Sequence, residues 1–244
     1  MSCACGREAI SERNLCEQHF CEWLEGTVHN TIVNHAMIRP GERVLVAASG
    51  GKDSLTLLKI LATRYDVTAL CIDEGIPGYR EHTVNDLQRF CDAHKIALVI
   101  KTFAQERGST LSDLQPKHPC TTCGIWRREI MADVAKDFDV IATGHNLDDE
   151  AQSILMNICK HHAMRPQPVL EGNALFTRRV KPLYFIPEAD VRRYAFIHRI
   201  VSTWSECPNA ALSHRRAIQS LLHNQEARSP GSKERLVMNY LARL

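Results

Sequence analysis

Arg43-Val-Leu-Val-Ala-Ala-Ser-Gly-Gly-Lys-Asp-Ser54 is the stretch that decides the fold. Its first part, residues 43–48, is an apolar run rich in Val and Leu, which predicts a buried strand. Lys52 begins a segment with apolar residues at helical spacing, and Ser49-Gly50-Gly51 lies between the two. Two glycines let the backbone turn sharply and approach a ligand closely. We therefore expect a strand, a tight turn and a helix N-terminus, which together present N–H groups to phosphate.

The glycine turn does not fit the Walker A pattern, in which Gly-Lys is followed directly by Ser or Thr. Here Asp53 follows Lys52. Residues 49–54 instead resemble the PP-loop of the ATP pyrophosphatases, which bind ATP by its terminal phosphates and activate an oxygen by adenylation. The alternative is an ordinary glycine turn that caps a Rossmann-like helix, because glycine-rich loops alone are weak evidence.

Length and composition limit the class of protein. The chain has 244 residues, of which 44% are hydrophobic and 24% charged, as expected for a globular protein with one large domain and a small appendage. A net charge of +2 and an isoelectric point near 8.1 permit an RNA partner without requiring one, so any basic surface must be local.

The expected compartment is the cytoplasm. No apolar run approaches the ~18 residues of a membrane span, and the first residues do not have the pattern of a secretory signal. In that compartment, ten cysteines favour metal or redox chemistry over disulfides.

Apolar runs and helical periodicity alternate along the chain. Strands are predicted at 43–48, 67–73, 96–101 and 139–144, and helices at 22–38, 52–64, 80–94, 124–138 and 146–160. Residues 162–186 are predicted to be irregular, and further helices are predicted near 187–200, 213–224 and 232–244. This alternation predicts an α/β fold with a Rossmann-like parallel sheet and helices on both faces. Ligands of such sheets bind at the carboxyl ends of the strands, where Ser49 and Gly144 fall.

Two adjacent carboxylates follow the fourth predicted strand, within Thr143-Gly-His-Asn-Leu-Asp-Asp-Glu150. Beside an ATP loop, Asp148 and Asp149 can hold Mg²⁺ or orient a substrate oxygen, since Mg²⁺ prefers carboxylates together with phosphates. The alternative is an acidic first turn that only complements the helix dipole.

Cys120-Thr-Thr-Cys123, expected on a loop before a helix, and the distant Cys207 form a second candidate site. Three thiolates leave a fourth coordination position open, which suits a reactive iron–sulfur cluster more than a closed structural zinc site. A redox pair with an unrelated Cys207, or a zinc site completed by His118, are the alternatives.

The N-terminus carries four soft ligands within a short stretch: Cys3, Cys5, Cys16 and His19. They suit a small closed zinc site whose metal supplies folding energy. Because the gap between Cys3 and Cys5 is tighter than usual, Cys21 is the substitute for Cys5.

Basic residues cluster at Arg178-Arg179-x-Lys181, Arg192-Arg193 and His214-Arg215-Arg216. Such charge runs are commonly solvated helix faces. If the three clusters converge in space, they form a surface that follows RNA phosphates.

In combination, these motifs make the chain similar to the TtuA/TtcA-type tRNA 2-thiolation enzymes of the PP-loop ATP pyrophosphatase family, which include the archaeal and eukaryotic wobble-uridine thiolases. The resemblance covers nearly the whole chain. It is carried by the N-terminal Cys/His knuckle, Pro40-Gly-Glu-Arg-Val-Leu-Val46, the PP-loop, Cys120-x-x-Cys123-Gly124, Thr143–Ala151, Val180-Lys-Pro-Leu183 and Glu206-Cys-Pro-Asn-Ala210.

Some of these motifs point to one branch of the family. Ile72-Asp-Glu-Gly75, Gly78-Tyr-Arg80 and Arg127 look more like the wobble-uridine branch, whereas Glu206-Cys-Pro-Asn-Ala210 is closer to the bacterial and archaeal side. The resemblance therefore favours uridine 34 over position 54 only weakly.

The resemblance implies an ATP site formed by Ala47, Ser49, Gly50, Gly51, Lys52, Asp53, Ser54, Ile72, Arg127, Gly144 and Asp149. It implies that Asp149 and Arg127 act at the reacting phosphate and the uridine, supported by Asp148 and Lys52. With ATP and Mg²⁺, O2 of a uridine in tRNA would be adenylated. Sulfur held on a [4Fe–4S] cluster at Cys120, Cys123 and Cys207 would then replace AMP.

The resemblance also implies sulfide or the thiocarboxylate of a ubiquitin-like protein as sulfur donor, and a homodimer with no membrane partner. We divide the chain into a zinc knuckle at 1–24, a PP-loop ATP-binding catalytic domain at 25–200 and a C-terminal helical region at 201–244 that carries Cys207. The family often ends in a second zinc ribbon, but no cysteine follows Cys207. The terminal helix is therefore expected to take over part of tRNA docking.

Two rival functions stay open at this point. Another PP-loop adenylating enzyme, such as a lysidine-type or amidating synthetase or a cytidine thiolase, is the nearer one, although the two synthetases need no thiolate triad. A non-catalytic zinc-knuckle RNA-binding protein is the other, although it would not need Lys52, Asp53 or the acidic pair Asp148 and Asp149.

Overall fold

The computed structural model describes residues 2–160, 166–173, 176–200, 207–212 and 214–244. Strands lie at Arg43–Ala47 (β1), Asp66–Asp73 (β2), Ala97–Thr102 (β3), Val140–Thr143 (β4), Val169–Leu170 (β5) and Arg178–Val180 (β6). α-Helices lie at Glu17–Asn34 (α1), Lys52–Leu61 (α2), Arg80–His94 (α3), Phe103–Arg107 (α4), Leu111–Leu114 (α5), Pro119–Val134 (α6), Leu147–Lys160 (α7), Glu188–Ile197 (α8), His214–Arg228 (α9) and Ser232–Leu241 (α10). Short 3₁₀ turns cover Ala135–Asp137 and Pro208–Leu212.

The strands form one sheet in the order β3-β2-β1-β4-β6-β5. Neighbouring strands are parallel, except that β5 runs antiparallel to β6. The chain builds outward from β1 through β2 to β3 and then returns to the other side of β1 with β4. The loops after β1 and β4 therefore diverge at a switch point, which is where open α/β sheets bind ligands. The α/β class predicted from the sequence is confirmed.

Alternating residues of the central strands bury into two apolar layers, one on each face of the sheet. On one face, Val44 and Val46 of β1 belong to a buried cluster with side chains of α1, α2, α3 and α8. On the other face, Leu45 and Ile141 belong to a cluster with Phe103 and with Ile130 of α6. Because both faces are covered, the strands are apolar at nearly every position, as expected for parallel sheets.

A third cluster joins the C-terminal helices to the sheet domain. Leu147 and Ile154 of α7 are buried with Leu222 of α9 and Val237 of α10. None of the helices in the described part of the chain combines the length and apolar character that crossing a membrane requires.

The first helix begins earlier than the sequence periodicity predicted. α1 starts at Glu17 rather than at residue 22, and Phe20, Leu24, Val28 and Ile32 repeat every four residues along its buried face. The same helix runs through the division at residue 24. Our boundary between knuckle and catalytic domain therefore falls inside a continuous helix, and the division itself stays a proposal.

Two other predictions of local structure were wrong. Cys120 and Cys123 lie inside α6 rather than on a loop before a helix, because Pro119 already occupies the first turn, a position that proline favours. Residues 162–186, predicted to be irregular, contain β5 and β6. A three-residue strand carries too little periodicity to be seen in the sequence, and the pairing of β6 with β4 decides its conformation.

The glycine turn supplies a prediction with an internal control. Gly50 and Gly41 have the same φ of +82°, but a Cβ at Gly50 would lie 2.1 Å from the carbonyl oxygen of Thr83, whereas Gly41 has open space. Gly41→Ala should lower the free energy of unfolding by about 1–2 kcal/mol, the cost of left-handed backbone alone. Gly50→Ala should cost clearly more, because the PP-loop must also move. Urea denaturation of both variants measures the difference, and equal losses would contradict the close approach of the loop to α3.

Candidate active site and metal centres

The loop between β1 and α2 is held by its own hydroxyl groups. The Oγ of Ser54 accepts from the backbone N–H of Ser49 at 3.2 Å and donates to the carbonyl of Gly51 at 2.9 Å. The Oγ of Ser49 accepts from the N–H of Gly51 at 3.3 Å. Gly51 is the N-cap of α2 and offers no side-chain cap. The first N–H groups of the helix are thus left for an anion, and Ala47, the last residue of β1, leads into this loop.

Lys52 lies at the entrance of the loop between two carboxylates. Its Nζ is 2.9 Å from Oδ2 of Asp53 and 2.9 Å from Oε1 of Glu188 on α8. Burial opposes the ammonium charge, but the two carboxylates together outweigh burial and raise the pKa of Lys52. The side chain is therefore charged, and it begins at the first residue of α2, where the loop ends. Sequence reasoning missed Glu188, because nothing local to it indicates that α8 begins beside Lys52.

The acidic turn after β4 is fixed against the start of α2 by Gly144 and Asn146. A Cβ at Gly144 would lie 3.0 Å from the backbone carbon of Asp53, so only glycine permits this approach. The side-chain amide of Asn146 donates to Oδ1 of Asp53 at 3.1 Å. Asn146 and Asp149 also exchange reciprocal bonds of 3.1 and 3.2 Å between backbone N–H and side-chain oxygen, which is capping-box geometry.

Asp53 and Asp149 form the candidate Mg²⁺ site. Burial raises the pKa of Asp53, and the negative charge of Asp149 adds to it, although Lys52 and Asn146 lower it. Burial likewise raises the pKa of Asp149, against the attraction of Arg215, whose Nη1 lies 3.5 Å from Oδ1. Two partly buried carboxylates that repel each other beside a phosphate loop have the chemistry of a divalent-cation site.

Asp148 lies apart from this group. Its Oδ2 accepts from the backbone N–H of Glu188 at 2.8 Å, and its Oδ1 pairs with Lys233. The carboxylate therefore joins α7, α8 and α10. Its supporting part in catalysis stays a prediction.

Arg127 lies on α6, which packs on the face of the sheet opposite to α2. Its side chain is 44% exposed, and its Nε lies 3.4 Å from Oε1 of the buried Glu74. Glu74 also pairs with Arg80, whose guanidinium donates to the carbonyls of Ser49 and Ile72. Sequence reasoning placed Ile72 and Arg127 at the site but missed Glu74 and Arg80. Both lie in motifs quoted for the family resemblance, which is the signal that could have found them.

His145, which follows β4, lies near several cationic side chains. Burial and the charges of Lys181 and Arg215, followed by Arg179 and Arg127, lower the pKa of His145 to about 3. Its Nδ1 lies 2.9 Å from Oγ1 of Thr143. The imidazole is therefore neutral and adds no positive charge to that of Arg179 and Arg215 nearby.

The three cysteines proposed for the cluster come together at α6. Cys123 and Cys207 pack in the same apolar cluster as Trp126, and the thiol of Cys120 lies 3.6 Å from the carbonyl of Asn209. Burial, followed by the charge of Glu74, raises the pKa of Cys123 to about 11. Burial and the charge of Cys207 also raise the pKa of Cys120. Cys207 therefore lies near Cys123 in the fold, and three thiols in one region have the chemistry of a cluster held by three thiolates.

The four candidate zinc ligands at the N-terminus form a compact group. Sγ of Cys3 lies 3.1 Å from Nδ1 of His19, and Sγ of Cys5 lies 3.7 Å from Sγ of Cys16. All four ligand atoms lie within 4.8 Å of one another, the only such group among the described residues. These separations fit a tetrahedral zinc ion with bonds of about 2.0–2.3 Å. No zinc site of this compactness is formed with His118 in the described chain.

The structure groups Cys5, and not Cys21, with the other three ligand atoms. Cys21 packs against the main core, where burial and the charge of Glu25 raise the pKa of its thiol to about 11. The N–H of Cys5 and the ring of His19 instead lower the pKa of Cys3 to about 6, which favours a metal-binding thiolate.

The three basic clusters meet only in part: Arg179, Lys181 and Arg215 all act on His145, but other members pair with acids elsewhere. Arg178 is buried against Glu42, and Lys181 is buried against Glu150 at 2.8 Å. These two residues hold the sheet together rather than facing a polyanion. Arg192 and Arg193 pair with acids of their own helix, and the side chain of His214 lies outside the described residues.

A parallel sheet with a glycine turn and an acidic turn at its switch point defines a nucleotide-binding protein of the PP-loop class. A family model described as a PP-loop domain matches residues 23–221. The chain therefore belongs to the PP-loop family, and this membership implies that it binds ATP.

Known relatives show which PP-loop proteins this chain is similar to. The tRNA-5-methyluridine(54) 2-sulfurtransferase of Pyrococcus horikoshii is 35% identical over 249 residues, covering 97% of this chain and 80% of that protein. The cytoplasmic tRNA 2-thiolation protein 1 of Drosophila willistoni is 35% identical over 238 residues, covering 87% and 69%. The solved structure of the U34-tRNA thiolase NcsA from Methanococcus maripaludis, with its [4Fe–4S] cluster, matches with 29% identity and a TM-score of 0.87, covering 99% of this chain and 86% of that one. The predicted similarity to tRNA 2-thiolation enzymes is confirmed.

The N-terminal site supplies a prediction with a matched control. Cys16→Ser should remove one ligand, lower the bound zinc and lower the melting temperature by about 5 °C or more, because the metal contributes folding energy. Cys21→Ser, on the next turn of the same helix, should leave zinc content unchanged. Metal analysis and thermal unfolding measure both effects. Equal zinc content in the two variants would show that Cys16 is not a ligand.

Proposed function

We propose that this chain is an ATP-dependent tRNA-uridine 2-sulfurtransferase. The observation that carries the proposal is the connection between two candidate sites. Arg127 lies one helical turn after Cys123 on α6, and it is linked through Glu74 and Arg80 to the carbonyl of Ser49 in the PP-loop. A continuous chain of contacts therefore connects the proposed adenylating site with the helix that carries two of the three thiols.

The PP-loop side would activate the uridine. The free N–H groups at the start of α2 and the ammonium of Lys52 would bind the terminal phosphates. Mg²⁺ would be held by Asp53 and Asp149, whose carboxylates already share a buried site. The uridine O2 would attack the α-phosphate and release pyrophosphate, while Arg127 stabilises the charge that develops there.

The cysteine side would provide the sulfur. Cys120, Cys123 and Cys207 would hold a [4Fe–4S] cluster, which when bound would supply sulfur at the oxidation level of sulfide. C2 of the adenylated uridine would gain that sulfur as AMP leaves, and the exchange needs no net oxidation. The chain's own contribution is to place two of the cysteines and Arg127 on one helix, α6.

Other parts of the proposal rest on the relatives. Their names specify tRNA as substrate and, for the insect protein, a cytoplasmic location. We extend both to this chain, together with zinc at the knuckle, sulfide or a ubiquitin-like thiocarboxylate as donor, and a homodimer. We also retain the three parts 1–24, 25–200 and 201–244 as the proposed division.

Mass spectrometry of tRNA nucleosides tests the function. Reconstituted enzyme, incubated with tRNA, ATP, Mg²⁺ and sulfide, should form a 2-thiolated uridine. Since the named relatives act at position 54 or at U34, the product also reports the position: 5-methyl-2-thiouridine indicates 54, and a 2-thiouridine in the anticodon indicates 34. We expect the anticodon product. Thiolated cytidine, or lysine-modified cytidine, would support a rival PP-loop reaction instead.

Lys52→Ala should lower pyrophosphate release by about a hundredfold to a thousandfold while leaving the fold intact, because one preorganised cation is lost from the phosphate site. Lys59→Ala, in the last turn of the same helix, is the matched control and should retain full activity. Both rates come from a coupled pyrophosphate assay with tRNA present. Unchanged turnover in folded Lys52→Ala protein would refute the PP-loop assignment.

Chain purified without oxygen should be brown and contain about four irons, with the colour bleaching in air. Cys207→Ala should lose colour and iron despite its distance from Cys120 in sequence, because it supplies the third thiolate. Cys159→Ala changes an exposed thiol at the end of α7 and should keep both. Iron retained in Cys207→Ala would remove this residue from the cluster.

A further inference from the structure

Glu74 is a buried acid to which the proposed reaction gives no part. Its side chain is only 5% exposed, and it follows β2 at the carboxyl edge of the sheet. A carboxylate in such a place is stable as an anion only when cations neutralise it. Two guanidinium groups do so, from different elements of the fold.

The first partner is Arg80, which is itself buried. Its Nε lies 2.8 Å from Oε2 of Glu74. Its terminal nitrogens donate to the carbonyls of Ser49 at 2.9 Å and of Ile72 at 2.6 Å. Arg80 thus ties the PP-loop to the end of β2, and its bonds to these two carbonyls hold it in place independently of Glu74.

The second partner is Arg127. Its Nε lies 3.4 Å from Oε1, the other oxygen of Glu74. Among the described residues, no hydrogen bond or ion pair involves the terminal nitrogens of Arg127, and its side chain is 44% exposed. The Nε side of the guanidinium is therefore paired with Glu74, and the terminal nitrogens are left for a ligand.

We propose that Glu74 is a positioning residue that aims Arg127 at the α-phosphate and keeps it in register with the PP-loop through Arg80. This inference rests on the proposed adenylation of uridine. Positioning matters because a misplacement of about 1 Å can cost about a hundredfold in rate. A flexible arginine on the surface of α6 would otherwise sample many rotamers.

Glu74→Gln keeps the size of the side chain but removes its charge. We expect kcat for tRNA-dependent pyrophosphate release to fall about tenfold to a hundredfold, with little change in the KM for ATP. Glu74→Asp keeps the charge and should retain an intermediate rate. The matched control is Glu129→Gln. Glu129 lies on α6, as Arg127 does, and its exposed carboxylate pairs with Arg107 of α4. This variant should behave as wild type.

A double-variant cycle separates positioning from structure. Arg127→Ala should lower kcat on its own, and adding Glu74→Gln should cause no further loss, because Glu74 acts through Arg127. If the two losses multiply, Glu74 does not act through Arg127 and the inference is overturned. Thermal unfolding of every variant accompanies the rates, and Glu74→Asp carries the test if Glu74→Gln fails to fold.

NMR of the Arg127 Nε–H group tests the same contact without relying on activity. The resonance, assigned by its disappearance in Arg127→Lys, should exchange slowly in the wild type and faster in Glu74→Gln. Fast exchange in the wild type would refute the anchoring. If the wild type thiolates no tRNA while its Nε–H is protected by Glu74, the proposed function fails and the positioning of Arg127 stands.

Discussion

The active site depends on one close backbone approach, between Gly144 after β4 and the first turn of α2. Parallel pairing of β1 with β4 brings the two loops to the same edge, and the missing side chain at Gly144 lets them touch. Only at this separation can Asn146 reach Asp53, cap α7 and hold Asp149 beside the PP-loop. A side chain at residue 144 would crowd the backbone of Asp53 and Ser54, so the acidic turn or the start of α2 would have to shift.

Buried ion pairs connect the elements around this edge of the sheet. Glu150 pairs with Lys181, Asp148 pairs with Lys233, and Glu74 pairs with Arg80. The first two pairs link elements far apart in sequence, and in all three pairs removing one partner would leave an uncompensated buried charge. This explains why several basic residues are not available to RNA. Their charges are paired with carboxylates inside the fold, and the modest net charge of the chain does not indicate a large basic surface.

The sequence was sufficient wherever local pattern and tertiary structure agree. The helix predicted at 80–94 has those bounds in the structure, and the PP-loop lies where the glycine turn placed it. The sequence was insufficient where strand pairing or contacts between distant residues decide the local structure or the composition of the site. β6 is a strand because β4 lies beside it, and Glu188 and Glu74 lie at the site because remote elements carry them there. The metal ligands were identifiable as types, but only folding shows that Cys5, and not Cys21, completes the knuckle.

The position of Cys120 and Cys123 on a helix, and not on a loop, matters for the proposed chemistry. Cys123 and Arg127 are four residues apart on α6, so their Cβ atoms are held about 5–6 Å apart on one helix face. On a mobile loop, the sulfur site and the arginine could drift independently, and sulfur could reach the uridine before or after it is activated. On a helix, both move together with the sheet. In the proposed reaction, this rigid spacing would bring sulfur to the place where Arg127 stabilises the adenylated oxygen, and Glu74 would extend that rigidity to the PP-loop.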